Sequence, residues 1–226
     1  MPAPVDCTPS EIIATVCASL RAASQFSEPY PHFLAEGLFP PAVAAALDQM
    51  PFAAPSLDGV SGKRELHNDS RSYFDADRMK QFPLMRAVAE ALQSPEVAHT
   101  IAQTFGAPIN DTFLRLEYAL DVDGFWLEPH TDLGVKKFTG LIYLSQGPGH
   151  ASLGTDIYSA RDEHWGRTPF VPNTAMIFVP GSGTWHGFEK RPIAGVRRSV
   201  ILNYVTHEWR AREQLSFPDA PIRLNA

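Results

Sequence analysis

The chain has 226 residues, of which 44% are hydrophobic and 19% charged, enough apolar material for one sizeable core and too little length for two. Its formal charge of −6, from 19 Lys and Arg against 25 Asp and Glu, offers no broad cationic face to a phosphate backbone, so nucleic acid is a disfavoured partner. Its two cysteines, Cys7 and Cys17, lie in one N-terminal stretch without a Cys-x-x-Cys pair, which excludes a disulfide framework or zinc finger and suits a reducing compartment.

The most apolar N-terminal run, residues 12–20, is interrupted by Thr15 and Ser19 and has no basic flank. It reads as neither a secretion leader nor a membrane span, and the expectation is a cytoplasmic protein. Helical periodicity follows over residues 10–23 behind a cap-like Ser10, over 41–50 with proline in the first turn, and over 76–93 and 94–105. Between them residues 57–74 are polar and turn-rich, a flap or an edge strand.

From Asp111 onward the pattern changes to short strands bounded by Gly and Pro, over residues 112–120, 125–131, 138–145, 174–179 and 196–205. Helices followed by a run of strands predict an antiparallel sandwich or barrel backed by helices. The expected organisation is one domain: a mostly helical buttress over 1–107, a β core over 108–210, and a tail over 211–226.

Within the β half, His130-Thr131-Asp132 places two metal-ligating side chains at i and i+2, the spacing that shares one face of a strand. The motif is short and weak alone. A second histidine, His186 in Gly-Thr-Trp-His-Gly-Phe, follows an apolar strand and a Pro-Gly-Ser-Gly turn. Two histidines and one carboxylate make a facial triad suited to non-haem iron(II). On the final strand one face reads Arg197, Ser199, Ile201, Asn203 and the other Arg198, Val200, Leu202, Tyr204. The polar face suits a pocket, where a guanidinium and a hydroxyl would cradle a carboxylate, favouring Arg197 over Arg198.

His-x-Asp, a strand ending in Tyr-Leu, a distal His and Arg-x-Ser, in that order, resemble the iron(II)- and 2-oxoglutarate-dependent dioxygenases, in their prolyl-hydroxylase-like branch. The lead-in Tyr30-Pro-His-Phe-Leu34 and Leu38-Phe-Pro-Pro41 extends the resemblance over residues 30–206. It implies a mainly β protein with N-terminal helices and a double-stranded β-helix (jelly-roll, cupin-like) core. It further implies iron(II) held by His130, Asp132 and His186, with 2-oxoglutarate and O2 as cosubstrates. Arg197 would pair with the distal carboxylate, Tyr143 would hydrogen-bond it, and Ser199 and Tyr118 would complete the cosubstrate pocket.

The implied reaction is hydroxylation of an unactivated C–H bond of a peptidyl or small-molecule substrate, with release of succinate and CO2. Asp132 favours hydroxylation, because the related halogenases lack that carboxylate. Arg115, Lys137, Asn68 and Arg71 are the expected substrate contacts at the barrel mouth. The other histidines, at 32, 67, 99, 150, 164 and 207, are expected to be structural or exposed. Two other readings remain: a non-redox cupin-like metal-binding or sensor protein, and a nucleic-acid oxidative demethylase, which the negative charge disfavours.

Overall fold

The protein is described by a computed structural model covering residues 7–54 and 71–224. The helices start where local chemistry satisfies their first N–H groups. Helix α1 (Pro9–Arg21) is capped reciprocally by Thr8 and Glu11, two residues before the expected Ser10 cap. Helices α2 (Pro41–Asp48), α4 (Pro83–Gln93) and α5 (Pro95–Phe105) carry proline in the first turn, where no N–H is missed. The single helix expected over 76–93 is two. A residue before proline is driven out of the helical region, and Phe82, at φ −123° and ψ 95°, separates α3 (Ala76–Gln81) from α4.

Eleven strands accompany the helices among the described residues: β1 (Ser24–Phe26), β2 (His32–Glu36), β3 (Arg71–Tyr73), β4 (Phe113–Asp121), β5 (Leu127–His130), β6 (Lys136–Tyr143), β7 (Asp156–Ala160), β8 (Glu163–Arg167), β9 (Thr174–Phe178), β10 (His186–Phe188) and β11 (Arg197–Val205). They form a major sheet in the order β1-β2-β9-β6-β11-β4-β3 and a minor sheet in the order β5-β10-β7-β8, antiparallel throughout. This is a jelly-roll core. The N-terminal half is less purely helical than its periodicity predicts, because β1 and β2 extend the major sheet from β9. Of the turn-rich segment over 57–74, residues 71–74 are described, and 71–73 form the edge strand β3.

Strand alternation divides the interior into two layers. On the outer face of the major sheet, Leu114, Leu116, Tyr118, Val200, Leu202, Tyr204 and Phe138 pack against Val16, Leu47, Val88, Leu92 and Ile101 of the helices. Between the sheets a second cluster gathers Tyr143, Met176 and Phe178 with Phe125, Leu153, Ile157, Phe170 and Phe188. The chain after β11 returns along β4, where Ser216 N–H donates to the Leu114 carbonyl and Ile222 N–H to that of Thr112.

Leu202 of β11 is buried in the helix-facing layer, so its truncation should report directly on stability. Leu202→Ala, at a 3% exposed position, is expected to cost about 2–5 kcal/mol, measured as a lowered urea midpoint with an unchanged denaturant slope.

Candidate active site

His130 ends β5 and His186 begins β10, and the two are direct cross-strand partners. Their rings stand 4.3 Å apart between centroids. Each Nδ1 is hydrogen-bonded to the backbone carbonyl two residues upstream, His130 to Glu128 and His186 to Thr184, both at 2.9 Å. An Nδ1–H tautomer donating to a carbonyl leaves Nε2 as the ligand atom and fixes the ring plane. The close approach of the two strands requires Gly187, since a Cβ there would lie 2.8 Å from the Leu127 carbonyl oxygen.

Asp132 completes the cluster from the loop after β5 rather than from the strand itself. The ligand atoms of His130, Asp132 and His186 all lie within 4.8 Å of one another, so one ion can be held by two nitrogens and an oxygen. Both oxygens of Asp132 are already aimed: Lys136 Nζ donates to Oδ1 at 2.5 Å and Thr139 Oγ1 to Oδ2 at 2.6 Å. Burial works against the ionised carboxylate but is outweighed by Lys136, by His186 and by these two hydrogen bonds, which hold its pKa below the usual range. His186 moves the other way. Burial first and neighbouring His130 second push it down to about 4, so its imidazole is neutral and basic toward a metal at pH 7. The donor set and its protonation fit a divalent transition metal.

A cavity between the sheets connects this triad to the far end of β11, lined by Thr139, Thr155, Arg197, Ser199, Asp121 and Arg71 among polar residues. Phe125, Leu127, Leu141, Phe188 and Ile201 supply its apolar wall. Register explains the arrangement. Arg71, Ala119, Ser199 and Tyr143 form one row across β3, β4, β11 and β6, while Asp121 pairs with Arg197 one row further on. Arg197 is buried with Nη1 2.5 Å from Asp121 and Nε donating to the Leu153 carbonyl, and its guanidinium lies 4.8 Å from the Phe188 ring centre. Arg198 points to the opposite face, toward Asp48 at 3.7 Å, as alternation demands.

Several expected site residues lie elsewhere. Tyr118 faces the helices, where its hydroxyl donates to the Leu47 carbonyl, because its position on β4 has the wrong parity for the cavity. Tyr143 faces inward, but its hydroxyl is tied to Thr155 and Thr168 at 2.8 and 2.7 Å, and Thr155 lines the cavity in its place. Arg115 spends its donors on Gln214, Asn203 and Glu117 and is sandwiched between the Tyr73 and Trp209 rings, which leaves it a buried structural cation. Lys137 is outside, bonded to the Gly134 carbonyl, and its neighbour Lys136 takes the inward position. Arg71 does line the cavity, within an ion pair to Asp121 at 2.8 Å. Asn68 falls outside the described residues.

The site neighbours that sequence reading passed over are Thr139, Asp121 and Glu117, while Asn203 lies on the polar face of the last strand that the sequence assigns to a pocket. The signal for Asp121 and Glu117 was present in β4, where Arg115, Glu117 and Asp121 share one parity and Leu114, Leu116, Tyr118 and Leu120 the other. A second group of potential ligands, Asp156, His164 and Glu189, lies in the minor sheet. Asp156 is saturated there by Arg167, Arg191, His164 and the Glu189 N–H, so it forms an ion-pair knot. Arg191 of that knot stacks 4.0 Å from Phe188, on which Arg197 also rests.

Thr139 accepts a hydrogen bond from Asn203 Nδ2 at 2.9 Å while donating to Asp132, so it sets the carboxylate's orientation through a fixed rotamer. Thr139→Val keeps the shape and removes both bonds. Its expected effect is a roughly 10- to 100-fold loss of metal affinity, measured by titration with zinc(II), together with about 1–3 kcal/mol lower stability of the metal-free protein, because buried Asn203 Nδ2 loses its acceptor.

No protein-family model matches this sequence, and no curated protein does. Solved structures do match. A prolyl 4-hydroxylase structure from Phytophthora capsici aligns with a TM-score of 0.58 at 14% identity, over 93% of this chain and 70% of that one. A prolyl hydroxylase from Trichoplax adhaerens, solved with a peptide fragment of the hypoxia inducible factor oxygen degradation domain, aligns at 0.57 and 12% identity over 90% and 93%. HygX from Streptomyces hygroscopicus, solved with nickel and 2-oxoglutarate bound, aligns at 0.50 and 11% identity over 78% and 82%. The chain therefore has the fold of the prolyl hydroxylases and other 2-oxoglutarate/iron(II) oxygenases.

Proposed function

We propose that the protein is an iron(II)- and 2-oxoglutarate-dependent dioxygenase that hydroxylates an unactivated C–H bond of a peptidyl or small-molecule substrate. The observation that carries this reading is the convergence of His130, Asp132 and His186 at one end of a cavity whose other end holds buried Arg197. A two-histidine, one-carboxylate set leaves coordination positions open for a chelating 2-oxo acid and for oxygen, and a guanidinium suits the acid's second carboxylate. The same fold carries nickel and 2-oxoglutarate in HygX, which supports the cofactor assignment.

When bound, iron with 2-oxoglutarate and O2 supplies the C–H oxidation, giving succinate and CO2. The chain's own residues bind, orient and exclude water. His130, Asp132 and His186 hold the metal, with Lys136 and Thr139 fixing the carboxylate. Arg197 receives the distal carboxylate of 2-oxoglutarate, with Ser199 beside it on the same strand face. Tyr143 acts through its ring, which lies 5.8 Å from the Arg197 guanidinium. The apolar wall of Phe125, Leu127, Leu141, Phe188 and Ile201 lowers the local dielectric, which strengthens each of these contacts. We place the protein in the cytoplasm, where thiols such as Cys7 and Cys17 stay reduced. Among the described residues no helix is long and apolar enough to cross a membrane.

Anaerobic addition of iron(II) followed by 2-oxoglutarate tests the reading through the weak visible charge-transfer band of a chelated 2-oxo acid. The band is expected in the unmodified protein and absent in His186→Ala. Metal binding without a band would overturn the oxygenase reading in favour of a non-redox metal protein. Arg197→Ala is expected to keep metal binding and raise the 2-oxoglutarate concentration for half-maximal band intensity roughly 10- to 100-fold, the loss of one charge-assisted pair.

A further inference from the structure

The cavity carries more than the one guanidinium that a cosubstrate carboxylate needs. Asp121 sits between two arginines from opposite neighbouring strands: its Oδ2 meets Arg197 Nη1 at 2.5 Å and its Oδ1 meets Arg71 Nη1 at 2.8 Å. All three side chains are at most 9% exposed and line the same cavity. Glu117 lies 2.7 Å from Arg115 and 3.5 Å from Arg71 Nε. Among the described residues the buried set of Arg71, Arg115 and Arg197 against Glu117 and Asp121 therefore holds one positive charge in excess, next to the apolar wall of the cavity. An uncompensated buried charge is expensive, and the set is neutralised when it receives one carboxylate.

The donors match that charge count. Arg197 commits Nε to the Leu153 carbonyl and Nη1 to Asp121, whereas Arg71 stands within ion-pair distance of both carboxylates without its buried Nε and Nη1 making a hydrogen bond. Asp121 thus acts as a bracket between the two guanidiniums, hydrogen-bonded to Arg197 through Oδ2, while the buried Nε and Nη1 of Arg71 remain as donors for a planar, two-oxygen anion. Phe188 under Arg197 and Phe125 under Arg71, at 4.8 and 5.5 Å from the guanidinium carbons, limit how far either fork can swing.

We infer that Arg71, Asp121 and Arg197 form a two-arginine receptor for a single carboxylate, with Arg71 as its second guanidinium and Asp121 as the positioning residue between them. Resting on the cosubstrate reading above, the assignment makes that carboxylate the distal group of 2-oxoglutarate. Arg71 is then a cosubstrate residue, not the substrate contact its place near the barrel mouth suggests. Recognition of 2-oxoglutarate consequently depends on the docking of the short edge strand β3, which supplies Arg71, against β4.

The test compares two 2-oxo acids on the zinc(II)-loaded full chain: 2-oxoglutarate, and 2-oxobutyrate, which chelates a metal equally but has no distal carboxylate. The ratio of their dissociation constants, read by calorimetry, isolates the receptor. The ratio is taken on molecules that bind the metal, so a poorly folded fraction cancels. In Arg71→Gln the preference for 2-oxoglutarate is expected to fall about tenfold while 2-oxobutyrate affinity stays constant. In Arg71→Lys, which keeps the charge and loses the fork, it is expected to fall by a smaller factor, which also covers the case in which the glutamine variant does not fold. A preference that survives both substitutions overturns the role of Arg71 and leaves the cosubstrate reading in place. No preference in the unmodified protein overturns both.

Discussion

The cavity is held open by buried charge that must stay paired. From Asp132 the contacts run through Thr139 and Asn203 to Arg115, then through Glu117 and Arg71 to Asp121 and Arg197. Each ion in such a chain costs several kcal/mol to desolvate, an outlay repaid only when geometry is good, so the chain tolerates few alternative arrangements. Apart from Asp132, its members sit on β3, β4, β11 and β6, and their spacing is the spacing of the hydrogen-bonded ladders beneath them. The shape of the site is therefore set by sheet register. A one-residue slip of β11 would turn Arg197 and Asn203 toward the helices and Val200, Leu202 and Tyr204 into the cavity.

Division of labour between the two sheets follows from that constraint. The minor sheet brings His130 and His186 as cross-strand partners at the close approach that Gly187 permits, while the major sheet brings the arginines and the residues that steer Asp132. The Asp156 knot on the outer side of the minor sheet has a mechanical part. It carries Arg191 against one ring of the wall, Phe188, and Arg197 rests on the same ring, so a surface ion-pair cluster and a buried anchor share one aromatic support.

Much of this was legible in the residues. The His-x-Asp pair, the distal histidine and the two faces of β11 are short-range patterns, and alternation alone separates Arg197 from Arg198. What failed depended on partners distant in sequence. Tyr118 was assigned to the cosubstrate pocket by resemblance, although strand parity on β4 sets it with Leu116 and Leu120 against the helices. Arg115 shares parity with the cavity residues, but its donors are consumed by Gln214, Asn203 and Glu117, the first two of them about 90 to 100 positions away. Lys136 and Lys137 could be told apart only once the strand's start was known. Strands β7 and β8 are half polar and short, and β1 is wholly exposed, so none of the three carries the apolar alternation that reveals a buried strand.

The candidate metal ligands belong to one sheet and its loop, whereas the groups that orient Asp132 and line the far end of the cavity belong to the other. An ion bound there would work as a rivet across the sandwich. Loosening between the layers would then weaken its hold with the strands and helices intact, and the ion's occupancy would be a gauge of inter-sheet packing to which secondary-structure probes are blind.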